Sequence, residues 1–260
     1  MRASGGNGTV ALLLILVTLG LGGCGPKKTG PGIATLPDVG QQQIEHVVAP
    51  GETLDQIADN YYGTPERAGD IARANGLSEG FSVAPGSVLI LSFGADQWEE
   101  ARRRAAALTP YNRGVDLMQQ ERLAEAGRQF ELALATAPGL ASARYNLALV
   151  QLQRGKNDEA LALLTPLTES RPDDPDFGFA RGNVLFQLTR FEEASAQFGQ
   201  VLANHPDHSR AAFGLARSLE AEEKTSAAIA AWQAYLKLDS TSSWAETARR
   251  SLRKLTDGSS

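Results

Sequence analysis

Between residues 107 and 242 the chain repeats itself, and this repetition constrains its fold more than any other feature. Ala126, Ala160, Ala194 and Ala228 stand 34 residues apart, as do Phe130, Leu164, Phe198 and Trp232. Pro138, Pro172 and Pro206 keep the same period, and so do the small residues Gly114, Ala148, Gly182 and Ala216. With proline at about one residue in twenty, three in register arise by chance roughly once in 400. Such a period means one supersecondary unit stacked on copies of itself, because a single unit cannot bury its apolar face alone. Each column has a mechanical reading. The alanines sit where two antiparallel helices approach most closely, and the large residue four positions on fills the layer between units. The proline, lacking an N–H, ends the second helix.

The period and these columns resemble the tetratricopeptide repeat, which implies an all-α solenoid of four helical hairpins over 107–242. The fourth copy carries Ser240 where the others have proline. Residues 243–257 read as a closing helix, with Trp244, Ala248 and Leu252 on one face and Glu246, Arg249, Arg250 and Arg253 toward solvent. A polar-backed end helix is what a solenoid needs to stop. The resemblance further implies that positions two, five, nine and twelve of each first helix face an inner surface. These are Leu108, Tyr111, Val115 and Met118; Ser142, Tyr145, Leu149 and Leu152; Asp176, Phe179, Asn183 and Phe186; and Arg210, Phe213, Arg217 and Glu220. The fifth position is aromatic in all four copies. Repeats one to three would thus form an apolar trough and repeat four a charged end, a surface suited to a polypeptide partner. The competing expectation is that neighbouring helices already cover those rings.

Upstream, the period changes. Glu45 to Val48 and Val88 to Leu91 read as short strands. Between them, Leu54, Ile57, Ala58 and Tyr61 form an amphipathic helical stripe opened by a capping box at Thr53 and Gln56. Thr64, Pro65 and Glu66 start a second helix with a capping side chain, and Asn75-Gly76 ends it. This βααβ order over residues 45–92 resembles the lysin motif, through V-V-A-P-G-E-T-L-D-Q-I-A-D-N-Y-Y-G, I-A-R-A-N-G-L and V-A-P-G-S-V-L-I. Glu52 stands where aspartate is commoner, and Leu91-Ser92 where Ile-Pro is usual. The resemblance implies a shallow groove for N-acetylglucosamine-containing glycan. Gly51, Glu52, Thr53 and Leu54 would line one side and Asn75, Gly76, Leu77 and Ser78 the other. Four of these positions also have a purely structural reading: Thr53 as a helix cap, Asn75 and Gly76 as a helix stop, and Leu54 as core.

The first residues carry a different signal. An apolar run over residues 10–21 has the length of a signal-peptide core and falls short of the ~20 residues of a spanning helix. It leads into Leu21-Gly22-Gly23-Cys24, which resembles the lipobox of bacterial lipoproteins and implies a lipid on Cys24, the chain's one cysteine. Residues 1–23 are then a signal peptide. Residues 24–44, rich in glycine and proline, form a flexible tether, and residues 93–106 a helical connector. Gly25 follows the cysteine in place of the aspartate that favours inner-membrane retention, so the expected location is the outer membrane, facing the periplasm.

Composition narrows the chemistry. The formal net charge of -5 and the absence of a basic run argue against nucleic acid. One cysteine permits no internal disulfide. No nucleophile elbow, phosphate loop or zinc signature is present. His205 and His208 could be offered as a metal pair, but the proline between them marks a turn. Asp173, Asp174 and Asp176 lack the glycine and distal glutamate of a calcium loop and read as an acidic helix start. No catalytic residue, metal or cofactor is expected. The chain reads as a non-enzymatic scaffold with peptidoglycan and an envelope protein as partners; the alternative is a non-catalytic activator or recruiter of a cell-wall hydrolase or synthase.

Overall fold

The computed structural model describes residues 42–77 and 83–257. Two compact units divide the chain: one runs up to Arg113 and takes in Glu131–Ala141, the other holds Gly114–Phe130 and continues from Ser142.

The first unit opens with a two-stranded antiparallel sheet, β1 (Gln42–Val47) against β2 (Val88–Phe93), in the register Gln42↔Phe93 to Val47↔Val88. β1 therefore includes Gln42 and Gln43, which the composition assigns to the tether. Period-two alternation turns Ile44, His46, Leu89, Leu91 and Phe93 inward. They meet the buried stripes of α1 (Leu54–Tyr62) and α2 (Ala68–Ala74), namely Ile57, Ala58, Tyr61, Ile71 and Ala72. The capping box is present: Gln56 N–H donates to Thr53 Oγ1 at 3.2 Å and Thr53 N–H to Gln56 Oε1 at 3.1 Å. Thr64 does not cap. Its side chain makes no cap bond, and the chain enters α2 through a 3₁₀ turn, Pro65–Arg67.

α3 (Trp98–Gln119) is one unbroken helix. The expected connector and the first repeat helix are continuous: 95–109 holds neither glycine nor proline, and Pro110 and Gly114 lie inside the helix without ending it. Tyr62 stacks on Phe93 at 4.6 Å, and Phe93 lies 6.3 Å from Trp98 at the start of α3. Arg104, 9% exposed, pairs with Glu100 at 2.9 Å and donates to the carbonyls of Asp59 at 3.4 Å and Gly139 at 3.3 Å. A side chain at Gly63 would collide with that guanidinium, and Gly63 also ends α1 in the left-handed region at φ 80°.

The repeats form a stacked array of helical hairpins. Their second helices are α4 (Leu123–Thr136), α6 (Asn157–Ser170), α8 (Phe191–Asn204) and α10 (Thr225–Leu238). First helices after α3 are α5 (Ala141–Gln153), α7 (Pro175–Gln187) and α9 (Ser209–Ala221), and α11 (Ser243–Asp257) follows. All four alanines of the first column are fully buried, and the large column is at most 1% exposed. The small column is matched to the large one. A Cβ at Gly182 would sit 2.5 Å from Phe198, and one at Gly114 would sit 2.6 Å from Phe130. Where the large residue is Leu164, the small one is Ala148. Each hairpin turns through a left-handed residue at the same period: Glu121 (φ 59°), Gly155 (74°), Thr189 (59°) and Glu223 (60°). Only one of the four is glycine, so the column escapes a search for glycine signals.

Candidate functional site

The loop after β1 and the segment before β2 leave the sheet at the same end, because the strands are antiparallel and Val47 pairs with Val88. Val48 N–H donates to Ser87 O at 2.9 Å and Gly86 N–H to Val48 O at 2.8 Å, extending the ladder to the loop itself. Gly51 and Thr53 are exposed there and Leu54 is half-buried; Gly76 is exposed and Leu77 half-buried. Gly51 (φ 80°) and Gly76 (φ 65°) are left-handed, with open space where a Cβ would stand. Backbone can therefore be approached closely at both. Ser78 and Cys24 lie outside the described residues.

Three of the expected glycan contacts are occupied within the fold: Thr53 in its capping box, Glu52 and Asn75. Glu52 accepts from Ala49 N–H at 2.9 Å and faces His46 Nε2 at 2.8 Å. A carboxylate there fixes the ring proton on Nε2, leaving Nδ1 to accept from the Tyr61 hydroxyl at 3.1 Å. Burial, and then the Glu52 charge, hold the Tyr61 proton well above the usual tyrosine range. The Asn75 amide donates to Ile71 O at 2.9 Å and Ile90 O at 3.0 Å, while its oxygen accepts from Ile90 N–H at 2.8 Å. It acts as an extra strand residue beside β2. What faces outward from these loops is backbone, Thr53 and the edge of Leu54.

A second site lies in the repeats. Leu152, Phe179, Asn183, Phe186, Phe213 and Arg217 line one groove of about 470 Å³ with Arg210 and Trp244. Its lining does not include Tyr111, Val115, Met118, Tyr145 or Leu149, which are half-buried. Tyr145 instead lies against Phe177 at 5.4 Å, and burial, then the carboxylates of Asp176 and Asp174, push its hydroxyl up to about 12. Phe213 belongs mostly to the core: it is 6% exposed and meets Trp232, Tyr235 and Trp244 edge-on at 4.6–5.2 Å. The charges of repeat four do not form a separate end. Arg210 lies over the Phe179 ring at 4.9 Å and Arg217 over Phe186 at 4.4 Å. Glu220 is drawn inward to accept from Trp232 Nε1–H at 3.0 Å.

Trp244 was missed as a groove residue, and a signal for it existed. α5, α7, α9 and α11 start 34 residues apart at Ala141, Pro175, Ser209 and Ser243. Trp244 thus falls at position two of a fifth first helix, in register with Arg210. It is 54% exposed and reaches the groove, while Ala245 and Ala248 face the core.

The histidine and aspartate turns are structural. His208 Nδ1 accepts from Ala211 N–H at 3.0 Å as the cap of α9, and His205 Nε2 meets Asp173 O at 2.9 Å. Asp174 caps α7 by accepting from Asp176 and Phe177 N–H, with Pro175 at the first helical position. Among the described residues no group of three or more His, Cys, Asp or Glu could hold a metal ion, and no helix is long and apolar enough to cross a membrane.

Comparison with known families agrees with this division. A LysM domain family model matches residues 46–92, and Tetratricopeptide repeat models match 117–178 and 179–243. The chain carries a LysM domain followed by tetratricopeptide repeats, both typically non-catalytic binding modules. Among curated proteins, it is 31% identical over 123 residues to DnaJ homolog subfamily C member 3 of Bos taurus, covering 46% of this chain and 24% of that protein. The chain thus spans about a quarter of that relative's length. Among solved structures, it resembles a tetratricopeptide repeat protein from Parabacteroides merdae (18% identity, 59% of this chain and 61% of that one, TM-score 0.54). It also resembles YrrB, described as a TPR protein with an unusual peptide-binding site (22% identity, 60% and 81% covered, TM-score 0.52). These likenesses show the fold.

Proposed function

We propose that the chain is a lipid-anchored adaptor of the cell envelope. Its LysM domain holds N-acetylglucosamine-containing strands of peptidoglycan, its repeats hold a polypeptide, and a lipid on Cys24 tethers both to the outer membrane on the periplasmic side. The observation that carries this reading is the pairing on one chain of a glycan-binding module with a protein-binding one. Two weak contacts joined to one anchor raise each other's effective concentration, so the assembly selects wall that lies near the membrane. Because Glu52, Thr53 and Asn75 are engaged within the fold, glycan recognition falls to the backbone of Gly51 and Gly76 and to the exposed edge of Leu54. Backbone amides suit an acetamido group, and Leu54 suits its methyl.

Sedimentation with purified sacculi tests the module directly. The protein is expected to co-sediment and to be released by soluble N-acetylglucosamine oligomers; failure to co-sediment ends the glycan reading. Mass spectrometry of the envelope fraction tests the anchor, where an unmodified Cys24 thiol would rule it out.

A further inference from the structure

We propose that the groove formed by repeats two to four with α11 takes an acidic polypeptide segment that carries an aromatic or bulky aliphatic side chain. This rests on the reading that the repeats bind a polypeptide, and it assigns the chemistry of that partner.

Charge comes first. In a chain of formal net charge -5, the charged side chains lining this groove are both arginines, Arg210 and Arg217. Their positions are held. Each guanidinium lies over a phenyl ring, 4.9 Å from Phe179 and 4.4 Å from Phe186, an attraction that favours this position. Arg210 reaches Asp176 only at 3.8 Å, between two exposed groups, a pair of little strength. Arg217 makes no ion pair among the described residues. The fork of donors at Arg217, with no ion pair in the fold, suits a carboxylate.

The apolar half of the site comes from α11. Trp244 stands 54% exposed at the groove edge with its ring edge-on to Phe213, 4.6 Å away at 75°. Tryptophan beside arginine in a concave surface is the composition on which binding energy concentrates. Asn183 adds an amide able to pair with extended backbone. A polypeptide uses all three features at once.

Fluorescence anisotropy of the full chain with three labelled heptapeptides tests the idea: EEFEEFE, KKFKKFK and EEGEEGE. The first is expected to bind, the other two at least tenfold more weakly. Arg217→Gln and Trp244→Ala should each weaken the first at least tenfold. Arg217 is exposed, so Arg217→Gln should leave the melting temperature unchanged; Trp244→Ala also loses its edge contact with Phe213, and a cooperative melting curve verifies that it still folds. Equal binding of the lysine peptide, the ringless peptide or dextran sulfate would overturn the assignment, as would an unaltered Arg217→Gln. A random peptide display library separates the two levels of the argument. Selected binders that are lost in Phe186→Ala but lack acidic residues would leave the polypeptide reading standing and the acidic assignment refuted. A library that yields no binder would remove both.

Discussion

The LysM domain and the repeats place their binding groups under opposite constraints. In the small βααβ unit nearly every polar side chain near the candidate glycan loops has a duty within the fold. Thr53 caps α1, Glu52 holds His46 and the Ala49 N–H, and Asn75 stitches α2 to β2. A unit this small has too little core to leave such groups idle, so recognition passes to backbone and glycine. In the repeats, stability resides in the buried alanine, glycine and large columns, and the residues of the groove are largely surplus to it. Arg217, exposed and outside the core, can therefore be set by ligand chemistry. Binding and folding are fused in one region and separable in the other.

The largest effect expected from testing that contrast is at Asn75. Asn75→Ala removes both partners of the Ile90 peptide group and should cost the LysM domain about 2–4 kcal/mol. Hydrogen exchange at the Ile90 amide reads it; protection equal to wild type would break the contrast, since a candidate ligand residue would then be dispensable to the fold.

In the repeats, a mutation in the small column should disturb stability while leaving the groove chemistry intact. Gly182→Ala drives a Cβ to within 2.5 Å of Phe198 and is expected to cost about 1–3 kcal/mol, measured by urea unfolding. The reverse change Ala148→Gly should cost about 1–2 kcal/mol through helix propensity and the loss of a buried methyl. A Gly182→Ala variant as stable as the unaltered protein would mean that the glycines are not fitted to the phenylalanines.

The smallest effect has the opposite sign. Thr189 is a β-branched residue at φ 59°, a conformation that glycine reaches without strain. Thr189→Gly should stabilise the repeats by about 1 kcal/mol, visible as a raised urea midpoint with unchanged slope. A destabilised variant would show that the threonine side chain contributes more than its backbone costs.

Much of this architecture was legible beforehand, and the parts that were not share a cause. The 34-residue columns, the capping box at Thr53 and the helix start at Asp174 are periodic or local, so a few neighbouring residues specify them. Thr64 failed as a cap because the 3₁₀ turn at Pro65–Arg67 alters the local backbone, which residue type does not reveal. The continuity of α3 is hidden because 93–106 looks like a separate connector, although nothing between Trp98 and Ala106 breaks a helix. Trp244 was placed on the buried face through its spacing to Ala248 and Leu252, when the repeat register already put it in line with Arg210.

By itself the sequence determined the order of modules, the helices and strands, and which columns would be buried, since these follow from spacing along the chain. Tertiary structure alone decided how the polar and aromatic groups are used: Glu52 and Asn75 committed to the fold, Phe213 taken into the core, Arg210 and Arg217 seated on rings of the preceding repeat, Trp244 left half in solvent. Those outcomes depend on which distant side chains arrive within a few ångströms of one another, and no local pattern encodes that distance.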